Sequence, residues 1–257
     1  MEVNKIYNEN CFVTIADRID DKSIDLVMTS PPYNMTKRKG GNADTGRYDV
    51  YTDWLSTEDY IGMTVDLFND FDRIVKDNGV ILYNFSYSIE NPTLPYLLVE
   101  QLYHHTNWCL ADTIIWKKNS GLPFPANERR LSRNWEFVWV FVRKNEIDTF
   151  TCNKGVKSVS EKTGQKYYNV FYNFVEAKNN DGETKKLNQA TYSTELCEKL
   201  FNIYGKEGMI VYDPFMGTGT TAKACINCGM DYLGSEISEA QCEYAENRIR
   251  NNEKENT

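Results

Sequence analysis

A strand, a glycine turn, a helix and a second strand follow one another between Met209 and Glu236, and few architectures accept that order. MIVYDP (Met209 to Pro214) is a short apolar run with β-branched residues, ended by its proline. Phe215-Met216-Gly217-Thr218-Gly219 supplies a turn, and a helix from about Thr220 to Cys228 is closed by Gly229. YLGSE (Tyr232 to Glu236) reads as the next strand. A helix between two such strands predicts a right-handed crossover, hence an α/β fold with a mainly parallel central sheet and helices on both faces.

The other end of the chain repeats the pattern. IDLVMT (Ile24 to Thr29) reads as a buried strand running into Ser30-Pro31-Pro32. Thr57 to Val75 carries Ile61, Val65, Phe68, Phe71 and Val75 on one helical face, and Asn78-Gly79 is expected to stop that helix. GVILYNFS (Gly79 to Ser86), DTIIWKK (Asp112 to Lys118) and EFVWVFVRK (Glu136 to Lys144) are further strands. Ser193 caps a helix with Leu196, Leu200 and Ile203 inward, Glu195 in its first turn and Gly205 after its end. Ser238 and Gln241 form a capping box for a last helix holding Cys242, Ala245 and Ile249 inward, with a frayed tail from Asn251. Residues 119–134 and 145–190 are polar, rich in Asn, Lys and Gly, and show no sustained period. They are assigned to insertions on a single domain spanning 1–257.

No stretch approaches the ~20 apolar residues of a membrane helix, and MEVNKIYNEN lacks the apolar centre of a signal peptide, so a soluble, cytoplasmic protein without a membrane partner is expected. The cysteines (Cys11, Cys109, Cys152, Cys197, Cys225, Cys228, Cys242) are odd in number and scattered, which argues for reduced thiols. Only Cys225 and Cys228 form a CxxC and the two histidines are adjacent at His104 and His105, so no metal site is expected. Net charge is −8, but residues 117–186 hold 14 Lys/Arg against 8 Asp/Glu, which leaves 15 against 29 for the rest. The basic middle can turn toward phosphate while the acidic flanks repel it; on charge alone, a solvated insertion fits equally.

Two constellations carry chemistry. In Asp213-Pro214-Phe215-Met216-Gly217-Thr218-Gly219-Thr220-Thr221, the glycines let backbone approach a ligand at a helix N-terminus. Glu236, at the end of the next strand, can accept hydrogen bonds from ribose hydroxyls, an arrangement suited to an adenosine-containing cofactor. In Thr29-Ser30-Pro31-Pro32-Tyr33, two prolines stiffen a strand end and the tyrosine offers a π-face to a base.

Together these segments resemble the β group of DNA amino-methyltransferases, which modify N4 of cytosine or N6 of adenine. Met28 to Tyr33 matches their catalytic motif and Asp213 to Gly219 their cofactor motif, in the permuted order of that group. The resemblance covers most of the chain except the basic insertion, and it implies a Rossmann-like methyltransferase fold with S-adenosylmethionine as donor and DNA as partner. Protein glutamine and RNA guanine enzymes with a similar tetrapeptide usually begin it with Asn and place it after the cofactor motif. Carried over by position, the Ser30 side chain and the Pro31 carbonyl accept the two amine hydrogens, Pro32 stiffens the loop and Tyr33 stacks on the flipped base; Ser30 tilts the reading to N4 of cytosine. The resemblance places Asn10 and Cys11, then Thr191 and Tyr192 in the segment Asn188 to Ser193, beside the cofactor with Asp213, Pro214, Phe215, Gly217, Gly219, Thr220 and Glu236. Methylation at C5 requires a Pro-Cys nucleophile, and no proline here precedes a cysteine.

For DNA contact the candidates are Lys37, Arg38 and Lys39 in a glycine-containing, mobile loop over 34–53, and Arg129, Arg130 and Arg133 in the first insertion. The alternative from another class is a catalytically silent DNA-binding subunit, and a homodimer is among the assemblies the sequence leaves open.

Overall fold

EFVWVFVR shows why the chain folds in three layers. Phe137, Trp139 and Phe141 point to one face of its strand and Val138, Val140 and Val142 to the other, and all six are buried. A strand buried on both sides needs helices above and below it, each large side chain contributing about 1.5–3 kcal/mol on leaving water.

The computed structural model describes residues 1–34, 55–88, 91–122, 131–182 and 191–255. In chain order the elements are β1 (Lys5–Tyr7), α1 (Cys11–Arg18), β2 (Ile24–Thr29), α2 (Thr57–Ile74), β3 (Val75–Phe85), α3 (Leu94–His105), β4 (Trp108–Leu122) and β5 (Arg133–Arg143). A 3₁₀ turn (Lys144–Glu146), β6 (Val156–Val159), β7 (Lys166–Tyr168), β8 (Phe174–Ala177), α4 (Thr194–Tyr204), β9 (Ile210–Asp213), α5 (Thr220–Asn227), β10 (Asp231–Ser235) and α6 (Glu239–Glu255) follow.

Among the described residues, eight strands form one sheet in the order β1-β10-β9-β2-β3-β5-β4-β8, and β6 and β7 form a separate hairpin. Only β5 runs against its neighbours, so the sheet is mainly parallel as the sequence predicts. Helices α1, α2 and α3 cover the Phe137/Trp139/Phe141 face, and α4, α5 and α6 cover the other. Ser193 caps where the sequence places it, its Oγ accepting from Leu196 N at 3.3 Å, and Ser56 Oγ caps α2 by accepting from Asp59 N at 3.0 Å.

Several boundaries differ from expectation. Asn78-Gly79 does not stop α2. The helix ends at Ile74, β3 opens at Val75, and Asn78, at φ 56°, sits in a bulge that lets Val75 pair with Ile24 and Val80 with Leu26. β4 extends to Leu122 and β5 begins at Arg133, so both ends of the first insertion belong to the sheet. Within 145–190, β8 adds an edge strand whose Val175 and Ala177 are buried, because alternation over four residues is too short to stand out from a polar background. α6 continues through Asn251 to Glu255, held where Asn252 Nδ2 donates to Asn227 Oδ1 at 2.9 Å. No described helix is long and apolar enough to cross a membrane.

Candidate active site

In the sheet order, β2 lies between β9 and β3, so the chain's two distant motifs leave the same edge side by side. Ligands sit at that edge in open α/β sheets. The link is direct: Thr29 Oγ1, the last side chain of β2, donates to Asp213 Oδ1, the last of β9, at 2.8 Å.

Asp213 is 1% exposed, and its carboxyl also accepts from Phe215 N at 3.0 Å, from Tyr192 Oη at 3.0 Å and from the Thr221 hydroxyl. Burial pushes its pKa up, against the lowering effect of those bonds, and burial pushes the Tyr192 phenol well up too. Both were expected at the cofactor, but their polar atoms are engaged inside the protein. These bonds fasten β2, β9, α5 and the segment before α4 to one another.

The glycine turn has two parts. Gly217, at φ 54°, donates its N–H to Glu236 Oε2 at 2.8 Å, while Glu236 Oε1 accepts from Ser238 N at 2.9 Å. A carboxylate keeps further lone pairs for hydroxyls. Gly219, at φ 80°, also answers to packing: a Cβ there would lie 2.9 Å from Ala245 Cβ of α6. Gly219 was expected at the cofactor, and this packing is a second reason for a glycine there. Pro214 and Thr220 are buried and Phe215 is half-buried.

At the end of β1, Tyr7 O accepts from Glu236 N at 3.0 Å and Asn8 Nδ2 donates to Glu236 O at 2.9 Å, which brings the Asn10-Cys11 segment beside Glu236. Asn10 Oδ1 caps α1 by accepting from Phe12 N at 3.0 Å, and burial pushes the Cys11 thiol up to about 12. Neither offers a charged group. Thr191 is half-buried before Tyr192.

On the catalytic side Pro31 and Pro32 are buried, Ser30 and Tyr33 half-buried. Tyr60 Oη donates to Pro32 O at 2.6 Å, fixing the loop to α2. Asn34, at φ 52°, accepts from Leu55 N at 2.7 Å and donates to Leu55 O at 3.0 Å, which ties the Ser30–Tyr33 loop to the start of the α2 segment. Tyr33 packs edge-on against Phe85, centroids 5.1 Å apart, and its hydroxyl lies 3.0 Å from Ser30 Oγ, 2.8 Å from Asn84 Oδ1 and 3.1 Å from Glu136 Oε2. Asn84 and Glu136 went unread in the sequence. The signal was there for Asn84, a lone amide inside an apolar strand.

Arg248 is another unforeseen contributor. Buried in α6, it donates to Thr218 O at 3.2 Å and Thr220 Oγ1 at 2.9 Å and pairs with Asp181, whose carboxyl also caps α4 by accepting from Thr194 N at 2.9 Å. Nothing in the helical period distinguishes that arginine from a solvated one. Arg133, expected at DNA, has its guanidinium against Tyr87, bonding the carbonyl and lying 4.8 Å over the ring. Lys37, Arg38, Lys39, Arg129 and Arg130 lie outside the described residues.

A family model described as DNA methylase, covering the N6 and N4 enzymes, matches residues 24–247. The chain belongs to this family. It is 25% identical over 264 residues to the type II methyltransferase M1.MboII of Moraxella bovis, covering 93% of each chain. Against the type II methyltransferase M.HinfI of Haemophilus influenzae it is 24% identical, covering 96% of this chain and 68% of that one. The fold matches the PvuII DNA methyltransferase (cytosine-N4-specific) with a TM-score of 0.70 at 18% identity, covering 98% and 92% of the two chains. It also matches the M1.HpyAVI–SAM complex at 0.62 and 22%, covering 95% and 98%. The chain is therefore a DNA methyltransferase directed at an exocyclic amine, with S-adenosylmethionine as methyl donor.

The residues present fit that donor. The Glu236 carboxylate stands at a strand end against the glycine turn, and Thr218 Oγ1 is buried in that turn with no partner among the described residues.

Proposed function

We propose that the protein methylates N4 of a cytosine flipped out of DNA, with the roles the motifs imply. The observation that supports it is the Thr29–Asp213 bond, which holds the Ser30–Tyr33 loop and the glycine turn next to each other on one edge. In this reading Glu236 and the turn amides hold the donor's ribose and amino-acid portions, with Arg248 and Asp181 bracing the turn. The bound donor supplies an electrophilic methyl group. Ser30 Oγ and Pro31 O accept the two amine hydrogens, which concentrates the nitrogen lone pair on the side facing the turn. Tyr33 stacks on the extruded base, returning about 1–3 kcal/mol of the flipping cost. Ser30 in the first motif position supports cytosine, as does the cytosine-N4 specificity stated for the structurally similar PvuII enzyme.

The test is methylation of plasmid DNA followed by nucleoside mass analysis. N4-methylcytosine is expected; N6-methyladenine would move the target to the other amine of the family, and unmodified DNA would leave the silent-subunit reading. In calorimetry, Tyr33→Ala is expected to keep donor affinity while productive base binding weakens.

A further inference from the structure

Behind Ser30 a chain of polar groups runs back into the sheet. Asn84 Nδ2 donates to Phe137 O at 2.8 Å, which fixes the amide so that Oδ1 faces the Tyr33 hydroxyl. Glu136 Oε2 lies 3.1 Å from that hydroxyl, and Asn84 Nδ2 approaches it at 3.3 Å. One phenolic proton therefore has two acceptor oxygens in reach. Glu136 Oε1 pairs with Lys118 of β4, whose ammonium sits 4.6 Å over the Trp116 ring. Lys118 is the charged group that faces Glu136 from the neighbouring strand, and the glutamate side chain is 14% exposed.

The chemistry at Ser30 gives such a chain a use. An amine that attacks through its lone pair becomes a cationic, strongly acidic nitrogen that must shed a proton. A carbonyl such as that of Pro31 cannot keep it, and a serine hydroxyl can accept one only by passing its own onward.

We propose that Glu136 is the terminal acceptor of the proton lost by the target amine, delivered through the Ser30 and Tyr33 hydroxyls. The inference rests on the proposed function. As the nitrogen lone pair forms the N–C bond, the departing sulfur keeps the electron pair of the broken S–C bond. The N–H bond then breaks toward Ser30 Oγ, the serine proton moves to Tyr33 Oη, and the tyrosine proton moves to Glu136 Oε2. The product amine is neutral, both hydroxyls are restored, and Glu136 returns its proton to solvent through its exposed side.

The test compares Glu136→Gln, Tyr33→Phe and the double variant in single-turnover methylation of DNA, with donor affinity by calorimetry and melting temperature measured alongside. Gln keeps the shape but cannot take a proton, and Phe keeps the ring but cuts the chain. Each single change is expected to lower the transfer rate about 10²-fold, with donor affinity and KM for DNA within threefold. The double variant should fall no further, because a chain cut twice is no more broken than one cut once. Glu136→Gln at the wild-type rate, or losses that multiply in the double variant, would overturn the relay. If Glu136→Gln does not fold, Tyr33→Phe at the wild-type rate overturns it equally, since that change leaves the Glu136–Lys118 pair in place. A wild-type protein that leaves DNA amines unmethylated removes the proposed function and the relay together. An active wild type with unaffected variants removes the relay alone.

Discussion

Two aspartates, one at each edge of the sheet, are held in opposite ways. At the edge away from the site, Arg143, only 5% exposed, donates to Asp72 Oδ1 and to the carbonyls of Asp72, Val75 and Lys76 at 3.1, 2.6 and 2.9 Å, stacked 4.7 Å over Trp108. A cation there satisfies the end of α2 and an acid at once. At the site edge, the bonds to Asp213 come from hydroxyls and one amide, and Glu136 shares a tyrosine proton with Asn84. Burial pushes the pKa of both aspartates up, yet the Arg143 and Asn107 bonds overcome it at Asp72, whose net shift is down, while the hydroxyls do not overcome it at Asp213. Asp72 is thus held by a cation, whereas Asp213 is held by neutral donors, in a site edge whose ion pairs, Lys118–Glu136 and Arg248–Asp181, lie to either side of it.

The largest break in that contrast is Arg143→Ala. It strands two acids, Asp72 and Glu146, and three carbonyls, so about 3–5 kcal/mol of stability should disappear from urea unfolding, while methylation per folded molecule stays at the wild-type level. A loss under about 1 kcal/mol would mean that this edge is not what holds α2 to β3.

The site edge should respond differently. Gly219→Ala meets both a left-handed backbone and Ala245, together about 1–3 kcal/mol, and should also weaken donor binding because the turn must move. Adding Ala245→Gly removes the collision and leaves the backbone cost. Partial recovery of melting temperature and donor affinity is therefore expected, and no recovery would show that packing against α6 is not why position 219 is glycine.

These two residues also mark what sequence reading could reach. The strand and helix order was legible because burial on both faces leaves unbroken apolar runs such as EFVWVFV, and the motifs were legible because turns demand Gly and Pro. The packing reason for Gly219 was not, since the partner that requires it lies 26 positions away on α6. Arg143, Arg248, Asn84 and Glu136 went unread for a related reason. A buried polar residue is recognised by its partners, and theirs come from other strands and helices. β1 and β8 were too short to show a period, and α1 and α3 were not foreseen.

A subtler contrast lies in pH. Asp72 has its folded pKa below the ordinary value of 3.8, so the stability it adds is complete above that value and lost as pH falls through the lowered one. Asp213 has its folded pKa raised, so its contribution is greatest below 3.8 and declines as pH rises through the raised value. In acid unfolding, Asp72→Asn should flatten the loss at the low end by under about 1 kcal/mol, for a pair that is partly exposed. Asp213→Asn should flatten the opposite slope. Curves of the same sign for both would undo the distinction between the edges.

The hairpin of β6 and β7 belongs to neither edge, and the smallest effect on stability is expected there. Its strand residues are exposed throughout, with Tyr167 and Tyr168 among lysines 154, 157, 162 and 166, and it is moored at its base where Asn153 Nδ2 donates to the carbonyls of Asn202 and Gly205. Lys157→Ala with Lys166→Ala should leave unfolding unchanged within about 0.5 kcal/mol. If the basic middle of the chain turns toward phosphate rather than solvent, the same double change should lower the slope of log affinity for DNA against log salt by up to about 2, roughly one per lysine, without altering which base is methylated. An unchanged slope would take this hairpin out of the DNA interface and leave recognition to residues nearer the Ser30 edge.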